Sequence, residues 1–250
     1  MKMQGWRQIA LFFLPILFFS ACASQPTTQV TQGQIDLAEA KRYQEAGRYE
    51  LAIEQYSTIK NKYPLSPEAV EAELELAETF YLEGSYPAAR TGFETFIELH
   101  PRHAKVPFSA FRAAMTYYKE IPPTIDRDLA PAASAVAAFD KFLKSYSSSP
   151  HAKDDKAFKQ EALKKFAEKE YYIANFYYKR KEYKAASGRF IKLLKSYPNL
   201  GYDEKALFHL GLCYYKLDNK PEAERVLNRF LTHYPKSIHV DEARQILKNI

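Results

Sequence analysis

The chain has 250 residues, 46% of them hydrophobic and 15% aromatic, with eight glycines and a formal charge of +6. That balance supplies enough apolar surface for a buried core, and it excludes a collagen-like, low-complexity or disordered polymer. Two cysteines, Cys22 and Cys213, are too few for a disulfide framework.

Lys2 and Arg7 precede an apolar run from Ile9 to Phe19, and small residues then lead to Cys22. A membrane-crossing helix needs roughly 20 apolar residues, more than this run supplies. A positive start, a short apolar core and a small-residue exit spell a secretory signal over residues 1–21. Phe19-Ser20-Ala21-Cys22 resembles the bacterial lipobox, with Phe where Leu is commoner. The resemblance implies cleavage before Cys22 and lipidation there, chemistry suited to a thiol nucleophile. Ala23, where an aspartate would favour the inner membrane, points to outer-membrane delivery. Ser24 to Gln34 (SQPTTQVTQGQ) is polar and uncharged, so residues 22–34 are expected to form a lipidated, flexible tether. Its reach is roughly 15–20 Å. Residues 35–250 form the expected folded domain.

That domain is a repeat. Ala40, Tyr43, Gly47, Tyr49, Ala52, Tyr56, Ile59 and Pro64 return 37 residues later as Ala77, Phe80, Gly84, Tyr86, Ala89, Phe93, Phe96 and Pro101. Apolar residues at i, i+3, i+4 spacing on either side of Gly84 predict two amphipathic helices and a turn. Ala77 and Ala89 are small enough for the two helices to approach closely. A third, irregular copy carries Ala114, Tyr117, Ala135, Phe139 and Phe142. There Ile121–Asp128 interrupts the turn and Ser147 replaces the closing proline. Lys153 to Lys169 alternates lysines with Asp154, Asp155, Glu161 and Glu168, the pattern of a solvated linking helix. The fourth copy runs through Ala174, Tyr177, Tyr183, Ala186, Phe190, Leu193 and Pro198. The fifth runs through Gly211, Tyr214, Ala223, Leu227, Phe230 and Pro235, again 37 residues on. This pattern resembles the tetratricopeptide repeat, whose usual period is about 34 residues. The fold class is therefore all-α, a tetratricopeptide-like solenoid of about five helical hairpins whose first helices line a groove.

Removal of Lys2 and Arg7 with the signal leaves +4, divided unevenly. Residues 31–101 carry a net −7 and residues 102–250 a net +11. The two ends should prefer different partners. Glu68, Glu71, Glu75 and Glu78 form either a solvated face or a docking patch for a basic partner. The lysines between 153 and 169 invite comparison with a phosphate-binding face, but an exported lipoprotein meets no nucleic acid, and none is expected as a partner. Repeat phase turns Leu37 and Lys41, Leu74, Glu78 and Tyr81, Phe108, Phe111, Met115 and Tyr118, Tyr171, Asn175 and Tyr178, and Phe208, Leu212 and Tyr215 toward the groove. Such a set either packs between neighbouring helices or offers aromatic contact area to extended peptides.

Signatures of an enzyme are missing: there is no G-x-S-x-G, P-loop, H-E-x-x-H or C-x-x-C. His100 and His103 flank Pro101 in a turn, too few ligands for a metal. Asp126-Arg127-Asp128 reads as an ion-pair knot in the turn insertion rather than as catalytic carboxylates, and Cys213 reads as a small buried residue. No enzyme activity, cofactor or metal is expected.

The lipobox, the five degenerate repeats, Tyr63-Pro64-Leu65-Ser66-Pro67, the Asp126-Arg127-Asp128 insertion and Tyr171–Tyr178 together resemble the BamD (ComL) family, lipoproteins of the outer-membrane β-barrel assembly machine. The resemblance covers nearly the whole chain from Cys22 on. It implies an assembly scaffold, lipid-anchored at the periplasmic face of the outer membrane. N-terminal repeats would receive unfolded outer-membrane proteins through an aromatic-ended C-terminal signal. C-terminal repeats would dock the POTRA domains of the BamA-like barrel subunit, with other Bam lipoproteins alongside. Residues carried over for the substrate groove are Leu74, Tyr81, Phe108, Phe111 and Tyr118; for partner docking they are Arg189, Tyr178 and Tyr215. Leu129-Ala130-Pro131 and Ser147 depart from the family's pattern. The alternative is a repeat lipoprotein of another envelope machine, for polysaccharide export, pilus secretion or division.

Overall fold

The computed structural model describes residues 30–250, and its folded unit runs Gln32–Ile250. The expected signal, Cys22 and most of the expected tether lie outside the described residues. Among those residues there are eleven helices and no strand. They pair as α1 (Gln32–Glu45) with α2 (Tyr49–Lys62), α3 (Pro67–Glu83) with α4 (Tyr86–Leu99), and α5 (Val106–Lys119) with α6 (Ala130–Tyr146). Then come α7 (Ala152–Lys179) with α8 (Tyr183–Ser196), α9 (Asp203–Lys216) with α10 (Lys220–His233), and a last helix, α11 (Val240–Lys248). Each helix packs on the next; α1 also meets α3, and α5 meets α7, as first helices do in a stack of hairpins. Among the described residues no helix is long and apolar enough to cross a membrane. Helix α1 opens at Gln32, so Gln32, Gly33 and Gln34 form its first turn rather than the end of a tether.

Local chemistry sets the hairpins. Ser66 accepts the Ala69 N–H through its hydroxyl at 3.0 Å and Pro67 occupies the first position of α3, so the helix starts with a satisfied donor and a preset φ. Gly84 ends α3 at φ 96°. The same turn position holds Lys181 (φ 63°) in the fourth hairpin and Asp218 (φ 54°) in the fifth, side chains that strain a left-handed backbone. Close approach of α3 and α4 rests on Ala77 and Gly92: a Cβ on Gly92 would stand 2.8 Å from that of Ala77. The second helices supply the largest core side chains, Tyr56, Phe93, Phe139 and Phe190, all fully buried at one repeat position. Removing such a ring typically costs about 3–5 kcal/mol.

Helix α7 breaks the rhythm. Its 28 residues fuse the expected linking helix with the first helix of hairpin four. The core of hairpins two and three ends on its N-terminal half, at Ala152 and Ala162, while the core of hairpins four and five begins at Ala174. Asp155, in its first turn, is fully buried, and among the described residues neither carboxylate oxygen has a hydrogen-bond partner. Burial pushes its pKa up to about 7, against the pull of Lys159 and with help from Asp140.

The ion-pair knot expected at 126–128 takes another form. Asp128 Oδ1 accepts the Ala130 N–H at 3.0 Å, satisfying an orphan donor at the start of α6. Asp126 is held below the usual carboxylate range by the Thr124 hydroxyl and its own backbone N–H.

Candidate functional site

The five residues expected in the substrate groove belong to one continuous seam between α3, α5 and α7. Arg112, on α5, is its hinge. Its guanidinium lies 4.5 Å from the Tyr81 ring centroid and 5.4 Å from that of Phe108, and it pairs with the Glu78 carboxylate. Cation–π contacts of this kind hold an arginine flat between two rings. Phe108 and Phe111 share the His151 imidazole, which stacks on Phe111 at 5.0 Å with the planes 7° apart. Phe111 and Tyr118 in turn share Phe158, and the Tyr118 hydroxyl donates to Glu161. Leu74 lies in the same core cluster.

Within that seam the rings divide by exposure. Leu74 (6% exposed), Tyr81 (8%) and Phe111 (8%) are buried in the core packed between the helices; Phe108 and Tyr118 are half-buried and reach the surface. Sequence phase could not separate the buried members of the seam from the half-exposed ones, because burial depends on the start of α7, where His151 and Phe158 cover Phe111. The missed residues are Arg112 and Glu78's part in fixing it; the signal was an arginine one turn from Phe108. Among the described residues Arg112 Nε and Glu78 Oε2 are buried without a hydrogen-bond partner. Burial raises the Glu78 pKa, and Arg112 opposes that rise.

The three docking residues are not brought together. Arg189 Nη1 donates to Glu170 Oε2 at 3.3 Å, and Lys192 Nζ donates to the other oxygen of the same carboxylate at 2.5 Å. Tyr178 packs edge-on against Tyr183 (5.6 Å) and His209 (5.2 Å). Tyr215 lies under Lys216 Nζ at 5.8 Å. Glu170, which sequence reasoning did not single out, leaves both cations partly exposed on one side of α8.

His209 sits among Tyr171, Tyr178, Phe190 and Phe208, with Nδ1 2.8 Å from the Lys205 carbonyl; burial holds its pKa below the ordinary histidine value. Cys213 is fully buried, and burial pushes its thiol up to about 12, which keeps it unreactive. His100 Nε2 lies 2.7 Å from Glu73 Oε2, and the His100 and His103 rings both pack on Phe96.

Comparison with known proteins decides the family. A family model described as an outer membrane lipoprotein, YfiO, matches residues 36–217, and a tetratricopeptide repeat model matches residues 205–237. The outer membrane protein assembly factor BamD of Neisseria gonorrhoeae is 30% identical over 249 residues, covering 92% of each chain. The chain belongs to the BamD family. Family members also include the BamD of Vibrio cholerae, 28% identical over 79% of this chain and 85% of its own, and that of Rickettsia prowazekii, 25% identical over 81% and 80%. Among solved structures, the TPR2AB domain of yeast Sti1 aligns at 17% identity with a TM-score of 0.45, over 86% of this chain and 81% of its own. As a BamD family member the chain is an outer membrane lipoprotein with a role in outer membrane protein assembly.

Proposed function

We propose that the protein is a non-enzymatic scaffold of the β-barrel assembly machine, anchored through a lipid on Cys22, that holds unfolded outer-membrane proteins in one half and the barrel subunit in the other. The observation that carries the first part is the α3–α5 seam: an arginine between two rings, with one guanidinium N–H buried and without a partner among the described residues. An aromatic side chain followed by a free carboxylate fits that pair of features. The ring would pack beside Phe108 and Tyr118, and the carboxylate would accept from Arg112. Binding through a few aromatic contacts leaves the rest of an unfolded chain free. For the second half, Arg189 and Lys192 offer two cations on a fixed carboxylate to an acidic group on a POTRA domain. A membrane tether raises the local concentration of both sites beside a membrane-embedded partner.

The test is a titration of the full-length protein with a short peptide ending in phenylalanine, free or amidated at its C-terminus. The free acid should bind about tenfold tighter, a difference typical of a charge-assisted hydrogen bond. The Phe108→Ala, Tyr118→Ala double variant should weaken it by at least as much. Equal affinity for both peptides would remove the groove assignment. In parallel, Arg189→Glu should abolish co-purification of a POTRA-bearing barrel protein through a tag after Ile250. Retained co-purification, or recovery of export or pilus proteins instead, would discard the docking assignment.

A further inference from the structure

Past the first hairpin, four first-helix residues occupy one repeat position: Thr79, Thr116, Phe176 and Cys213. Three of them are fully buried, because the preceding hairpin covers that side of each first helix. The fourth, Phe176, is 49% exposed, and Tyr172, one turn before it, is 64% exposed. The cause is the length of α7. Helix α6 and the core it belongs to pack on the N-terminal half of α7, ending near Ala162, so the C-terminal half lacks the cover its counterparts have. The 121–128 insertion does not supply it. It reaches α7 only as far as Lys165, whose Nζ donates to the Pro123 carbonyl at 2.8 Å, and Lys169, whose charge is felt at Asp126.

The exposed stretch has a defined chemistry. Tyr172 and Phe176 stand at i, i+4 spacing on the side of α7 turned away from Ala174 and the second core. Arg180 lies 5.4 Å from the Phe176 ring, and Lys179, Arg180 and Lys181 are all exposed at its end. Glu182, 3.4 Å from Arg180, Glu168 and Asp126 are the acidic groups alongside; against Lys169, Lys179, Arg180 and Lys181 they leave a positive excess. In the first hairpin, where the same position has no hairpin before it among the described residues, the residue is the exposed Arg42. A large aromatic at an open position therefore contrasts with how this chain treats an uncovered end.

We infer that Tyr172 and Phe176 form a docking surface for a helix of a partner protein, one with an apolar ridge flanked by acidic residues, which takes the place of the missing hairpin cover. Register favours a helix: at the three equivalent positions the covering element is a helical hairpin, so the spacing between rows of side chains is already that of helix–helix packing. Charge favours acidic flanks, which would meet Lys169, Lys179 and Arg180. The surface is separate from the α3–α5 groove and from Arg189, and it stands or falls independently of both.

A photo-crosslinking amino acid placed at 172, and separately at 176, in the full-length lipidated protein in its own outer membrane tests this. A third probe at the exposed Thr232 of α10 serves as control. Mass spectrometry should map both α7 crosslinks to residues three or four apart in a single partner segment carrying Asp or Glu beside its apolar positions. Phe176→Glu should lower recovery of that partner at least about tenfold, with thermal unfolding unchanged because the ring is half exposed. Crosslinks to lipid would show a membrane-facing patch and overturn the inference. So would crosslinks to a second copy of this chain or to its own 121–128 insertion, scattered crosslinks, or recovery unaffected by Phe176→Glu.

Discussion

The seam between α3 and α5 and the seam between α7 and α9 are the same contact made twice with different chemistry. Repeat register makes His209 the counterpart of Arg112, Tyr178 that of Tyr81, and Asn175 that of Glu78. In the first seam a permanent cation lies on Tyr81 and needs the Glu78 carboxylate beside it. In the second, an imidazole meets Tyr178 edge-on, its pKa lowered by burial, and the carboxylate's place is taken by a neutral amide. A hairpin stack thus fixes where a side chain goes but leaves its charge free. The N-terminal seam is built on a guanidinium paired with a carboxylate, the C-terminal one on an imidazole that burial holds toward its neutral form.

The largest expected difference lies in removing the two hinge residues. Arg112→Ala strands a mostly buried Glu78 carboxylate and should cost about 3 kcal/mol in urea unfolding. His209→Ala leaves a cavity among aromatic rings and should cost about 1–2 kcal/mol. Equal losses would mean that the pairing, not the packing, is unimportant in the first seam.

Exchanging the chemistry should come next in size. Glu78→Asn with Arg112→His should make the N-terminal seam sensitive to acid, lowering the melting temperature between pH 7 and 5 more than in the parent. An unchanged pH profile would break the comparison, since it would show that register alone does not set the behaviour.

The parent's own pH profile should contain two opposed contributions. His209 is less basic folded than unfolded, so protonation favours the unfolded chain; stability falls as pH drops through the ordinary histidine value of about 6.5. Asp155 is the reverse case. Its folded pKa is raised, so its stabilisation is complete in acid and is lost as pH climbs from the ordinary carboxylate value to about 7. His209→Phe should flatten the first slope and Asp155→Asn the second, each read by thermal melts from pH 4 to 8. Parallel profiles in variant and parent would remove the corresponding group from the account. The smallest effect belongs to the turns: Lys181→Gly and Asp218→Gly should each stabilise by about 0.5 kcal/mol by relieving a left-handed φ. Any loss would show that their side chains hold contacts worth more than the strain.

Much of this was legible in the sequence, because a repeat states its packing positions several times over. Ala77, Phe93, Phe96, Ala186, Phe190 and Leu193 are buried where the phase put them. The family could be named from its motifs, and the tetratricopeptide-like fold followed from five copies in step. What could not be read was the consequence of one irregularity. Nothing in residues 153–179 says that linker and hairpin run on as a single helix, since a lysine-rich solvated helix and an aromatic-rich packed one carry different local patterns. Burial of Phe111, stacking of His151 and exposure of Phe176 all follow from that continuity. The ion-pair knot failed for a similar reason: at 126–128 the nearest partner for an aspartate was a backbone N–H at the start of α6, not the arginine between them.

At 1.5 Å of rise per residue, α7 is a rod about 40 Å long, with the two largest cores built on opposite ends. Ordinary repeat arrays fray from either end, one hairpin at a time, because each unit answers only to its neighbours. Here the two cores share one continuous ladder of backbone hydrogen bonds. Melting either end of the rod exposes the nucleus from which the other would regrow, so the array should come apart in fewer, larger steps than its hairpin count suggests. A pull applied at one core is likewise felt at the other without passing through a loop.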